Sequence, residues 1–176
     1  QEPQNLQHTQ ADLNAISTRE FERAYYNQSH SPEARGRSKR KEYVNTLNEF
    51  EALAQELIEL GADKAKVQQL AQQSAERYTN ALKDELSSEA RTASWAVVGA
   101  GGFNTRRQEK LRGYADNKRV KTARAINQAI KNFEKLRLSD PNSAQATRDQ
   151  RNQEVLKEIA ERKKRAEDTR AKAKAE

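Results

Sequence analysis

The chain has no cysteine and no methionine, and only two histidines and one tryptophan in 176 residues. Without cysteine there is no disulfide, no thiolate nucleophile and no thiolate metal site. The redox compartment stays open, because exported proteins need not use disulfides. The histidines, His8 and His30, fall in polar connecting segments rather than three or four residues apart on a helix face. Neither a zinc site nor a Ser-His-acid triad can be built around them. No Glu-x-x-His motif is present for a carboxylate-bridged metal site in a bundle. Long apolar runs are also missing, and no stretch approaches the ~20 residues that cross a bilayer. Leu, Ile, Val and Phe total 28 residues, about 16% of the chain, below the roughly 20% that supports an ordinary packed core. This composition argues against a large α/β enzyme core, and the expectation is a protein that is not an enzyme and needs no cofactor or metal.

What the chain has is charge and helical periodicity. Its net charge of +7 is modest for its length, and its apolar residues are periodic, which argues against general disorder and for thin-cored helices. Residues 1–10 read as a flexible arm, 11–138 as a helical domain and 139–176 as a charged helical tail. Leu13, Ile16, Phe21, Ala24 and Tyr25 suggest a first helix. The Ser31 hydroxyl, Pro32 and Glu33 make a start signal for a second, running to Leu60. Within it Tyr43, Leu47, Phe50, Ala54 and Leu57 alternate steps of four and three, the seam of helices packed lengthwise in the coiled-coil manner. Gly61 suits the residue after that helix, and Asp63 suits the cap of the next.

The third helix reads from Val67 through Tyr78, Leu82 and Leu86 and on to Val98. Gly99 to Gly102 break it, and Phe103, Asn104 and Thr105 start a fourth helix that ends near Leu138. Its buried stripe is predicted as Val120, Ala123, Ile126, Ala129, Ile130 and Phe133. Residues 139–143 form a turn, and the last helix has few anchors: Val155, Leu156 and Ile159. The expected architecture is all-α, with four or five helices. Residues 32–60 and 64–98 form an elongated antiparallel hairpin, and the basic helix folds back on it. Because the chain starts at Gln1 and lacks methionine, it reads as an excised domain or a form left by signal-peptide cleavage.

Glu85 and Glu89 form a carboxylate pair among basic neighbours and read as a solvated helix face. The segment VVGAGGF, residues 97–103, lacks the dinucleotide-binding spacing, since Asn104 stands where a third glycine belongs, and no Gly-Lys-Ser/Thr completes a P-loop. Two readings remain. Gly101, Gly102 and Asn104 can form an anion-binding loop at the start of a helix that carries Arg106 and Arg107. Otherwise the glycines only reverse the chain, with Trp95 and Phe103 plugging the corner. Here Ser94-Trp95-x-Val97-x-Gly99, followed by Phe103-Asn104-x-x-Arg107-x-x-Lys110, resembles a segment of about 20 residues in helical proteins of bacteriophages and mobile elements that carry no established activity. This chain has Gly99-Ala100-Gly101 where that family has Gly-Pro-Ala. The resemblance implies a mobile-element origin and a helix–turn–helix-like corner, with no catalytic residue to carry over.

Charge segregation is the most informative feature. Residues 104–137 carry net +8, leaving −1 for the rest of the chain. The basic helix offers Arg106, Arg107, Lys110, Arg112, Lys118, Arg119, Lys121 and Arg124 to phosphates. A second cluster of Arg35, Arg37, Lys39, Arg40 and Lys41 opens the second helix, whose remainder from Glu42 to Glu59 has five glutamates and no base. Clustered cations bind phosphate chains by releasing condensed counterions. Tyr114, a lone aromatic in the basic segment, reads as a packing residue. The expected function is non-catalytic binding of DNA or RNA with low sequence specificity, in the cytoplasm of a host cell. The alternative partner is an acidic protein surface, as for an inhibitor of host defence or a component of a phage particle. A membrane surface is disfavoured, since the basic helix has no tryptophan and few bulky apolar residues. Self-association stays open.

Overall fold

The computed structural model describes residues 14–99, 101 and 103–175, with side chains as far as Arg165. The arm at 1–10, His8, Leu13 and Gly102 lie outside the described residues. The chain is all-α, with no strand among the described residues. Its helices are α1 (Thr18–Ala24), α2 (Pro32–Glu59), α3 (Lys64–Glu89), α4 (Trp95–Val98), α5 (Thr105–Ser139) and α6 (Pro141–Ala175). No described helix is long and apolar enough to cross a membrane.

Local chemistry sets most of these ends. Ser17 and Glu20 form a reciprocal capping box on α1, and the backbone and side chain of Ser17 hold the Glu20 carboxyl below its ordinary range. Pro32 occupies the first turn of α2, but the Ser31 hydroxyl does not cap it as expected. At the far end Gly61 has φ of 86°. Its N–H donates to the Ile58 carbonyl at 2.9 Å, and that of Ala62 donates to Leu57 at 3.0 Å. These bonds satisfy carbonyls that the helix end leaves free. Asp63 then accepts from the Ala65 and Lys66 N–H groups to start α3.

The predicted seam of α2 is buried along its whole length, and it meets Val67, Tyr78, Leu82 and Leu86 of α3 and Phe133 of α5. Aromatic rings run through this core. Tyr43 lies 6.0 Å from Phe21 and 5.7 Å from Tyr78, and Phe50 lies 6.0 Å from Tyr78 and 6.3 Å from Phe133. Burying each such side chain contributes roughly 1.5–3 kcal/mol. The short α1 crosses α2 so closely that a Cβ on Gly36 would sit 2.8 Å from the Glu22 nitrogen.

Three details differ from expectation. There are six described helices rather than four or five, because α3 stops at Glu89 instead of running to Val98. Tertiary hydrogen bonds hold the chain out of the helix there. The Ser94 N–H donates to the Asn27 carbonyl and the Ala93 N–H to Gln108, both at 2.8 Å. The one-turn α4 follows. Second, Trp95 does not plug the corner: it is 59% exposed.

Third, the inward face of α5 is Gln108, Ala115, Thr122, Ala129 and Phe133. Val120, Ala123 and Ile130 of the predicted stripe are exposed. Small side chains on this inward face let the α5 backbone lie close on α3, and these two helices make the most extensive contact among the described helices. The helix α6 follows α5 after the single residue Asp140. Ser143 and Thr147 anchor it, whereas Val155, Leu156 and Ile159 are exposed and anchor nothing among the described residues.

Candidate nucleic-acid interface

The basic residues of α5 divide into two sets. Arg112, Lys118, Arg119 and Arg137 are engaged by the fold. Arg112 donates to the Ala93 carbonyl at 3.2 Å and lies over the Phe103 ring. Lys118 pairs with Asp84 of α3, and Arg137 with Glu56 of α2 at 3.2 Å. Arg119 pairs with Asp116 on its own helix and with Glu89 of α3.

Arg106, Arg107, Lys110, Lys121, Arg124, Lys131 and Lys135 are exposed and form no ion pair among the described residues. Six of these seven fall on one line. Arg107, Lys110, Tyr114, Asn117, Lys121, Arg124, Gln128, Lys131 and Lys135 follow one another at steps of three and four, so they stack along a single helix face. The line contains no acid. The acids of α5, Glu109, Asp116 and Glu134, share a different face, and the buried residues occupy a third. At about 1.5 Å per residue the stripe runs roughly 42 Å.

At the start of α5 the Asn104 side chain accepts from the Arg107 N–H at 2.9 Å. Asn104 therefore works as the helix cap. Gly99 has φ of 75° and Gly101 is exposed. Of the predicted anion-binding loop, Asn104 and Gly101 are placed and Gly102 lies outside the described residues.

The second basic cluster also divides. Arg37 and Lys41 are exposed one turn apart. Arg35 lies 4.5 Å above the Tyr25 ring, and Lys39 bridges Glu42 at 3.3 Å and Glu85 at 3.2 Å. Burial works against the Lys39 charge, but Glu85 and Glu42 outweigh it and hold the ammonium above the ordinary lysine range. The Nε of Arg40 is buried without a hydrogen-bond partner among the described residues. This cluster serves mainly to pack α2 on its neighbours.

Glu85 and Glu89, expected on a solvated face, are instead 3% and 1% exposed. The Gln28 amide donates to Glu89 Oε2 at 2.9 Å, while Oε1 is met by the Arg119 guanidinium as an ion pair rather than by an aligned hydrogen bond. The two carboxylates and their cations from α2 and α5 thus form an internal polar cluster, which the sequence reading missed. The i, i+4 spacing of Glu85 and Glu89 on the inward side of α3, in line with Leu82 and Leu86, was the available signal.

Sequence reasoning also missed Arg91 and the side of the stripe it faces. Ser88 of α3, Arg91 just beyond its end, and Leu111, Tyr114, Val120, Lys121 and Arg124 of α5 line a groove of about 520 Å³. Tyr114 is 54% exposed and Val120 47%, so Tyr114 does not take the packing role expected of it. Comparison of the chain with family models, curated proteins and solved structures found no match in any of the three.

Proposed function

We propose that this chain is a non-catalytic nucleic-acid-binding protein that meets phosphates along the exposed face of α5. The observation that carries this reading is the acid-free stripe from Arg107 to Lys135, in which Arg107, Lys110, Lys121, Arg124, Lys131 and Lys135 form no ion pair among the described residues, while Arg112, Lys118, Arg119 and Arg137 serve the fold. A row of cations about 42 Å long suits an extended polyanion. The reading places the contacts on phosphates and not on base edges, so low sequence specificity belongs to it. The resemblance of the Ser94 to Lys110 segment supports a phage or mobile-element origin.

A salt series with arbitrary oligonucleotides tests the proposal. About six phosphate contacts give a slope of log affinity against log salt of roughly −4 to −5. Lys121→Ala and Arg124→Ala each flatten that slope by about one unit and leave the melting temperature unchanged. Absence of binding to any oligonucleotide at low salt refutes the proposal and favours an acidic protein partner.

A further inference from the structure

Resting on that reading, we infer that the α5 stripe takes single-stranded nucleic acid, with one unstacked base lying against Tyr114 in the groove between α3 and α5. A surface that meets a duplex only through its phosphates needs cations at phosphate spacing and nothing apolar, because the faces of paired bases are hidden in their own stack. This stripe differs at its middle. Tyr114 lies in line with the cations and is 54% exposed, and Val120 nearby is 47% exposed. With Leu111 they form the apolar part of a groove whose rim carries Arg91, Lys121 and Arg124. A flat apolar wall beside cations matches a nucleotide whose base is free: the ring covers the Tyr114 face and the flanking phosphates meet Lys121 and Arg124.

Tyr114 is the one aromatic residue lining the groove among the described residues, so it offers a stacking face to one base. The cations continue on both sides of it, from Arg107 and Lys110 to Lys131 and Lys135. The occupant is thus a chain of phosphates longer than the groove itself. An acidic amphipathic helix matches the groove but has no need of cations so far beyond it.

The test uses the full chain and fluorescently labelled oligothymidylate, oligouridylate and a mixed-sequence duplex of equal length, titrated at low salt by anisotropy. The single strands are expected to bind more tightly than the duplex. Tyr114→Ala should weaken single-strand binding about 5- to 150-fold, the range for loss of one base–aromatic stack, and leave duplex binding unchanged. Tyr114→Phe should restore single-strand binding. Because the side chain is half exposed, thermal melts of both variants should overlay the parent, which separates a lost contact from a lost fold. Equal weakening of single strand and duplex by Tyr114→Ala, or no weakening, overturns the inference and leaves the proposed function standing. Failure of every oligonucleotide to bind overturns both. Displacement of bound single strand by an acidic amphipathic peptide only at concentrations that saturate all the cations supports the inference, and saturable peptide binding at Tyr114 without oligonucleotide binding overturns it.

Discussion

Replacing Arg119 by alanine should damage the fold before it damages any binding surface. Its guanidinium pairs with Glu89, whose side chain is 1% exposed, while its own side chain is 48% exposed. Removing one partner of a buried pair typically costs ~3–5 kcal/mol, because the remaining charge is left uncompensated out of water. The half-exposed position of Arg119 lets water reach the vacated side, and Gln28 keeps its bond to the other carboxylate oxygen. The expected loss is therefore about 2 kcal/mol, below the buried-pair range and above the ~0.5 kcal/mol of ordinary surface changes. For a chain of this size that corresponds to a fall in melting temperature of roughly 4–8 °C. Urea unfolding followed by circular dichroism measures it. Combining Arg119→Ala with Glu89→Gln should recover part of the loss, since the stranded charge is then gone, and Lys121→Ala serves as the exposed control. If Arg119→Ala lies within ~0.5 kcal/mol of the parent, the pair does not brace the fold and the argument fails.

Gly36→Ala should destabilise despite the better helix propensity of alanine. The gain of ~1 kcal/mol is outweighed by a Cβ placed 2.8 Å from the Glu22 backbone, which forces α1 outward at a cost of about 1–3 kcal/mol. Urea midpoints decide the sign, and a stabilised variant would refute the close crossing. Trp95→Ala should shift stability by only about 0.5 kcal/mol, since the ring is 59% exposed. As the single tryptophan of the chain, it should emit near the solvent-exposed wavelength and be quenched readily by acrylamide. The Asp140 carboxyl is held below its ordinary value of 3.8, chiefly by the Ser143 N–H. Its contribution is thus present above that value and lost as pH falls through the lowered one. The Ser143 amide should lose protection, measured as its exchange rate against the intrinsic rate at the same pH, only in that acidic window, and titration of Asp140 at or above 3.8 by NMR would contradict this.

The all-α fold and the α2 seam were legible because large apolar residues, from Tyr43 to Leu57, mark an unambiguous face. The turn from α2 to α3 was legible for a different reason: Gly61 and Asp63 fit positions that few other residues fill. The phase of α5 was not legible. Its inward face holds Gln108, Ala115 and Thr122, so hydrophobicity pointed instead to Val120 and Ile130. These polar residues are hydrogen-bonded, with Gln108 accepting from the Ala93 N–H and Thr122 donating to the Lys118 carbonyl, and no composition rule reveals such bonds. The basic character of α5 followed from sequence alone, but sorting its charges into structural and free sets required that phase. The end of α3 at Glu89 depended on contacts with Asn27 and Gln108, both remote in sequence.

The inward face of α5 has a property that the packing of four of its residues alone cannot resolve. Gln108, Ala115, Thr122 and Ala129 recur every seven residues, so sliding α5 along α3 by two turns, about 10.5 Å, presents nearly the same small surface to the same neighbours. Contact of these four residues with α3 is almost degenerate under that translation, and Phe133, set against Phe50, and the ion pairs break the tie. A slide in one direction brings Ile126 opposite Glu89 and Ala125 opposite Asp84. In the other, Arg112 replaces Arg119 but Leu111 replaces Lys118, and Asp84 loses its cation. Only the observed alignment gives a base to both acids. The adjacent pair Lys118 and Arg119 thus acts, with Phe133, as a key cut for one position, and together they determine where along the body the row of free cations comes to lie.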